Sequence, residues 1–161
     1  MQMGKCGIPC GLCPMYHIAT AGRCTGCSED RSCSIIRCCG KKNIKICSEC
    51  KESPCTKITK MNEFPSFNTD KVWEKNLLHI QRIGYESWMK EYEKKVELIF
   101  YALEKYNAGR SKQFICKLFM LNEVSVLEKI MAQAEKITTD DKKEAAKQFR
   151  KIVESMVEII D

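Results

Sequence analysis

Eleven of the chain's twelve cysteines fall within its first 55 residues, and this clustering constrains the fold more than any other feature. They are Cys6, Cys10, Cys13, Cys24, Cys27, Cys33, Cys38, Cys39, Cys47, Cys50 and Cys55. Tyr16 is the only aromatic residue before Phe64, so the segment has little apolar material to bury. A stretch this short and core-poor needs metal or disulfides to hold a unique structure. The N-terminal MQMGKCGIPC contains no long apolar run, so neither a signal peptide nor a membrane-spanning helix is expected. That points to a cytoplasmic protein with no membrane partner, in a compartment where thiols stay reduced and cysteine clusters bind metal more often than they form disulfides.

The spacing supports metal. CGIPCGLC at 6–13 is a Cys-x3-Cys-x2-Cys cluster whose glycines let the backbone turn tightly enough to aim neighbouring sulfurs at one ion. CTGC at 24–27 and CSEC at 47–50 are Cys-x2-Cys pairs, a spacing suited to tetrahedral thiolate ligation. Cys33, Cys38 and Cys55 stand at loop distances from them. Zinc closes a site with four ligands, so two sites can be filled from Cys6, Cys10, Cys13, Cys24, Cys27, Cys33, Cys38, Cys47, Cys50 and Cys55, with Cys39 and Cys116 set aside. The preferred partition joins the first cluster with Cys24 and Cys27, and Cys38 with Cys47, Cys50 and Cys55; Cys6 and Cys33 belong firmly to neither. An iron–sulfur cluster is the alternative occupant, and disulfides or redox thiols follow it. His17 lies among the cysteines and is a further ligand candidate, whereas His79 sits in an ordinary helical pattern. The Cys6, Cys10, Cys13 spacing is also that of radical SAM enzymes. Leu12 stands where those enzymes usually carry an aromatic residue, and the chain lacks the length and strand–helix repeats of their barrel.

Charge refines the choice of partner. Residues 1–60 hold ten Lys or Arg against four Asp or Glu, while residues 61–161 hold seventeen of each, so the whole formal charge of +6 lies in the first part. A zinc ion held by four thiolates is a net −2 unit, and two such sites would bring that part to about +2. A nucleic-acid-binding zinc protein is therefore the weaker reading beside one that binds another protein.

After Cys55 the pattern changes. TKITKMNEFPSFNT, residues 56–69, reads as a polar connection around Pro65, and the chain divides into a cysteine module at 1–60, a linker at 61–69 and a helical bundle at 70–161. MYHIATAG, within the module, is expected to form a short helical turn, and Ile35, Ile36, Ile44 and Ile46 its miniature core. Thr69 or Asp70 can cap a helix bearing Val72, Trp73, Leu77, Ile80 and Ile83 on one face, stopped by Gly84. A second helix, about 86–106, carries Trp88, Tyr92, Val96, Ile99, Phe100 and Leu103 until Asn107-Ala108-Gly109 breaks it. A third begins with Ser111 as cap, presents Phe114, Ile115, Leu118 and Phe119, and continues past a bend near 121–125. Acids at Asp140 and Asp141 open a last helix, about 140–160, burying Phe149, Ile152, Val153, Met156 and Ile160. The fold expected is mainly α: a small loop-rich, metal-stapled cysteine module followed by an all-α bundle.

Paired carboxylates, a nucleophile elbow and a phosphate loop are all missing, so no catalytic residue is assigned. One stretch outside the module draws notice. In YNAGRSKQFIC, Arg110 and Lys112 flank a helix start, where free amides attract anions. This is either a plain helix–helix turn, an anion or cofactor-binding corner, or a contact to the cysteine module through Cys116.

CGIPCGLCPMY, CTGC and CSIIRCCGKKNIKICSECKESPC, followed by LLHIQRIGYESWMKEYEKK and YNAGRSKQFIC, resemble a family of bacterial and archaeal cysteine-rich proteins classed as a domain of unknown function. The resemblance covers roughly residues 4–135. It implies a prokaryotic metal-binding protein with a cysteine module ahead of helices, and it carries over the same ten cysteines as matching positions. Cys39 stands where a small residue is expected. The family brings no established activity with it.

Overall fold

The computed structural model describes residues 3–26, 33–60 and 72–157. Among them are seven α-helices, two 3₁₀ turns and no strand, so the chain is mainly α. It forms two compact units, Met1–Tyr92 and Glu93–Asp161. Among the described residues no helix is long and apolar enough to cross a membrane.

The first unit contains a 3₁₀ turn at Cys10–Leu12, helix α1 (Ser34–Lys42), a second 3₁₀ turn at Cys47–Glu49, the short α2 (Thr56–Thr59) and α3 (Val72–Ile83). In α1, Ile35 and Cys39 are one helical turn apart and both buried, which makes theirs the inward face. Asn43 ends the helix in the left-handed region at φ 51°, and its amide bonds back to the Cys39 and Gly40 carbonyls. α1 packs on α2, and α3 packs on the Cys47–Glu49 turn. Leu12, Ile46, Ile58, Val72, Trp73, Leu77 and Ile80 are buried. Burying a side chain of this kind contributes about 1.5–3 kcal/mol.

Polar contacts then tie the cysteine loops to helices. Asn76 Nδ2 donates to Gly7 O at 2.8 Å, Gln81 Nε2 to Ser48 O at 3.2 Å, and the Cys47 amide to Lys5 O at 2.9 Å. Gly7 has φ +90°, and a Cβ there would lie 2.6 Å from Trp73 O, so only glycine lets α3 approach this closely. Gly84, at φ +86°, stops α3, its amide bonding to Ile80 O. Helix α4 (Tyr85–Tyr106) follows, with residues 85–92 in the first unit and 93–106 in the second.

The second unit adds α5 (Ser111–Leu121), α6 (Val124–Ala134) and α7 (Lys142–Met156). α5 and α6 are separate helices because Asn122 is extended and its side-chain amide donates to Leu118 O at 2.9 Å, competing with the helical pattern. α6 packs on α7. Tyr106 and Phe149 stack at 4.6 Å between centroids, and the Tyr106 hydroxyl donates to Ala134 O at 3.0 Å. Burial pushes the Tyr106 phenol up to about 12. Asp141 caps α7 by accepting from the Lys143 and Glu144 amides.

Several expectations differ from the structure. MYHIATAG forms turns, because the Tyr16 amide bonds to Cys13 O and the Cys24 amide to Met15 O, folding the segment back on itself. Residues 56–59, read as the start of a linker, form α2 and bury Ile58. Ser111 is no cap: its hydroxyl donates to Ala108 O, and Arg110 occupies the cap position. Phe100 and Met156 are exposed, at 50% and 38%, since each lies beside the buried stripe of its helix. Of the miniature core, Ile35 and Ile46 are buried while Ile36 and Ile44 are only partly covered. Thr69, Asp70, Ile160 and the whole linker at 61–69 lie outside the described residues.

Candidate metal centre

The second half of the cysteine segment is organised around one pocket of about 130 Å³, lined by Cys38, Cys39, Cys47, Cys50 and Cys55 together with Lys42. Three short elements bring these sulfurs together. Cys38 and Cys39 sit in α1, Cys47 opens the second 3₁₀ turn, Cys50 follows it, and Cys55 stands at the cap position of α2. The 3₁₀ turn forms because the Cys50 amide bonds to Cys47 O, which folds the pair over Ser48 and Glu49.

The sulfurs are close but do not meet at one point. Cys39 Sγ lies 3.7 Å from Cys47 Sγ, and Lys42 Nζ lies 3.3 Å from Cys50 Sγ and 2.9 Å from Glu52 Oε1. Hydrogen bonds to Glu52 and then to Cys50 hold the Lys42 ammonium charged well above the usual lysine range. Burial pushes the Cys47 thiol far up, and the neighbouring Cys39 adds to that. Cys39 is also raised by burial. Among the described residues, no three His, Cys, Asp or Glu side chains converge as tightly as a bound ion needs. The pocket thus presents five thiols, one ammonium and the Glu52 carboxylate, and thiol donors of this kind suit soft, thiophilic cations.

The first half of the segment shows another arrangement. Cys6 and Cys10 are buried, Cys13 is half-buried and Cys24 is exposed. Burial raises the Cys6 thiol to about 11; the Ile8 amide works against that, and nearby Cys10 and Cys33 add to it. The Cys13 thiol is likewise raised by burial, countered by the Met15 and Tyr16 amides. The Gly26 amide lies 3.4 Å from Cys24 Sγ, with Gly26 at φ +86°. At three cysteines, then, backbone amides point at sulfur, an arrangement that favours the thiolate form. Cys27 lies outside the described residues, and Cys33 stands at the cap position of α1. Among the described residues, Cys6, Cys13, Cys24, Cys33, Cys38, Cys39, Cys47, Cys50 and Cys55 form no disulfide.

His17 Nε2 donates to Gly11 O at 2.8 Å, which places its proton on that nitrogen. His79 Nε2 lies 3.7 Å from Glu91 Oε2 on the surface of the helices. Arg110 is exposed ahead of α5, Lys112 is half-buried in its first turn, and Cys116 is buried further along the same helix.

Cys39, which spacing sets aside as extra, is 1% exposed and carries a sulfur 3.7 Å from that of Cys47. The signal was present in helical register: Cys39 is four residues after Ile35, so the two share a face. No protein-family model, curated protein or solved structure matches the chain.

Proposed function

We propose that this chain is a zinc-binding protein whose metal is structural and whose helices present a surface to a protein partner. Cys38, Cys47, Cys50 and Cys55 would hold one ion, and Cys10, Cys13, Cys24 and Cys27 a second. Bound zinc cross-links a segment that has too small a core to be stable alone, and it keeps its ligand sulfurs as thiolates. The observation that carries this reading is the pocket at α1, the Cys47–Glu49 turn and α2, which gathers the four cysteines of one site from 18 residues of chain. Lys42, beside Cys50, would offset part of the negative charge of a four-thiolate site.

The test is metal analysis on full-length protein prepared without oxygen. The expected result is a colourless protein with about two zinc ions per chain. A brown protein absorbing near 400 nm would replace this reading with an iron–sulfur one. Retention on a polyanion column that falls steeply with salt would replace the protein partner with a nucleic acid.

A further inference from the structure

We infer that Cys39 and Cys47 form a modification site, a dithiol that a hydroperoxide oxidises to a disulfide. Their sulfurs are 3.7 Å apart and both line the same pocket, where Cys47 is half-buried and Cys39 almost wholly covered. Both are held by backbone. Cys39 is in α1, its carbonyl accepting from the Asn43 and Ile44 amides, and the Cys47 amide is bonded to Lys5 O. The two are eight residues apart in sequence. Closing so short a loop costs little further entropy, and sulfurs held in contact react as neighbours in one molecule. The sulfurs must close from 3.7 Å to about 2.05 Å for the bond.

The chemistry balances with one hydroperoxide. Once its proton has passed to water, Cys47 attacks as the thiolate an oxygen of the O–O bond, which breaks to release an alcohol, or water from hydrogen peroxide, and leaves a sulfenic acid. Burial of the thiol makes this first step slow. Cys39 then displaces the sulfenic hydroxyl as water, forming the S–S bond. Two electrons leave the sulfurs and reduce the O–O bond. The thiols supply the two protons, or water supplies one if Cys47 begins as a metal thiolate. Four cysteines complete a zinc site, so Cys39 stands as a fifth thiol beside a ligand, and the disulfide would remove Cys47 from the metal. That last consequence rests on the zinc reading; the disulfide itself does not.

The experiment treats full-length, anaerobically prepared protein with one equivalent of hydrogen peroxide. Tryptic peptides are then sequenced by mass spectrometry while zinc release is followed. Lys41, Lys42 and Lys45 separate the two cysteines, so the disulfide joins two peptides. The expected result is a Cys39–Cys47 link and about one zinc released per link. In Cys39→Ser the zinc content should be unchanged, and Cys47 should stop at the sulfenic acid, trapped by dimedone, with no link formed. Oxidation of another pair with Cys39 still a thiol would overturn the proposal. Two sulfurs on one zinc also sit about 3.8 Å apart, so loss of zinc from untreated Cys39→Ser would make Cys39 a ligand and overturn its role as the fifth thiol. A link in protein that never held zinc leaves the dithiol standing and removes the metal reading. Zinc without a link does the reverse.

Discussion

The buried amide of Gly11 donates a 2.7 Å hydrogen bond to the hydroxyl of Tyr92, joining residues 81 positions apart. Gly11 is in the 3₁₀ turn that carries Cys10, and Tyr92 is in α4, stacked on Trp88 at 5.1 Å. The first cysteine cluster is thus built onto a helix of its own unit. Burial raises the Tyr92 phenol far above its ordinary range, so the hydroxyl stays neutral at any physiological pH.

Replacing Tyr92 with Phe leaves the ring stack in place and deprives the Gly11 amide of its acceptor. A buried donor left without a partner costs about 1–3 kcal/mol. The urea midpoint of metal-replete Tyr92→Phe should fall accordingly, and an unchanged midpoint would show that the bond contributes nothing.

Gly7 and Gly40 make a matched pair. Gly7→Ala must adopt φ +90° and place Cβ 2.6 Å from Trp73 O, so a loss of about 2 kcal/mol or more is expected. Gly40 lies within α1, with nothing within 4 Å of an added Cβ, and Gly40→Ala should stabilise by about 0.5–1 kcal/mol. Thermal melts of the two variants should move in opposite directions.

Cys47→Ser should lower the zinc content by about one ion per chain, whereas Cys116→Ser, buried in α5 of the second unit, should leave it unchanged. Chelation should likewise increase hydrogen exchange in α1 and α2 while α6 and α7 keep their protection. Equal metal loss in both variants would sink this assignment.

Asp141 gives the pH dependence. The Glu144 and Lys143 amides hold its carboxyl below the usual range, so the folded state binds this proton less readily than the unfolded chain. Its stabilisation is therefore complete above the unfolded value, about 3.9, and is lost as pH falls through the lower folded value. Urea midpoints at pH 6 and pH 3 should differ less in Asp141→Asn than in the parent chain. An equal difference would place the acid sensitivity elsewhere.

Whatever depends on neighbours in sequence could be read directly from the chain. Helix faces at Val72, Leu77 and Ile80 or at Phe149 and Val153 follow from 3.6-residue periodicity, the stop at Gly84 follows from backbone preference, and the acids at Asp140 and Asp141 mark the start of the last helix. The expected grouping of Cys38 with Cys47, Cys50 and Cys55 rests on short spacing, and the pocket that these four line also takes in Cys39. Tertiary structure alone decided which partners those faces met. Phe100 has helical spacing as good as that of Ile99, yet it is half-exposed while Ile99 is fully buried. Cys39 is an extra thiol by spacing, and α1 turns it inward together with Ile35. The Gly11–Tyr92 bond left no local mark at all. Periodicity defines a stripe on a helix, but packing between distant segments determines how wide a stripe is covered and which sulfur it brings to Cys47.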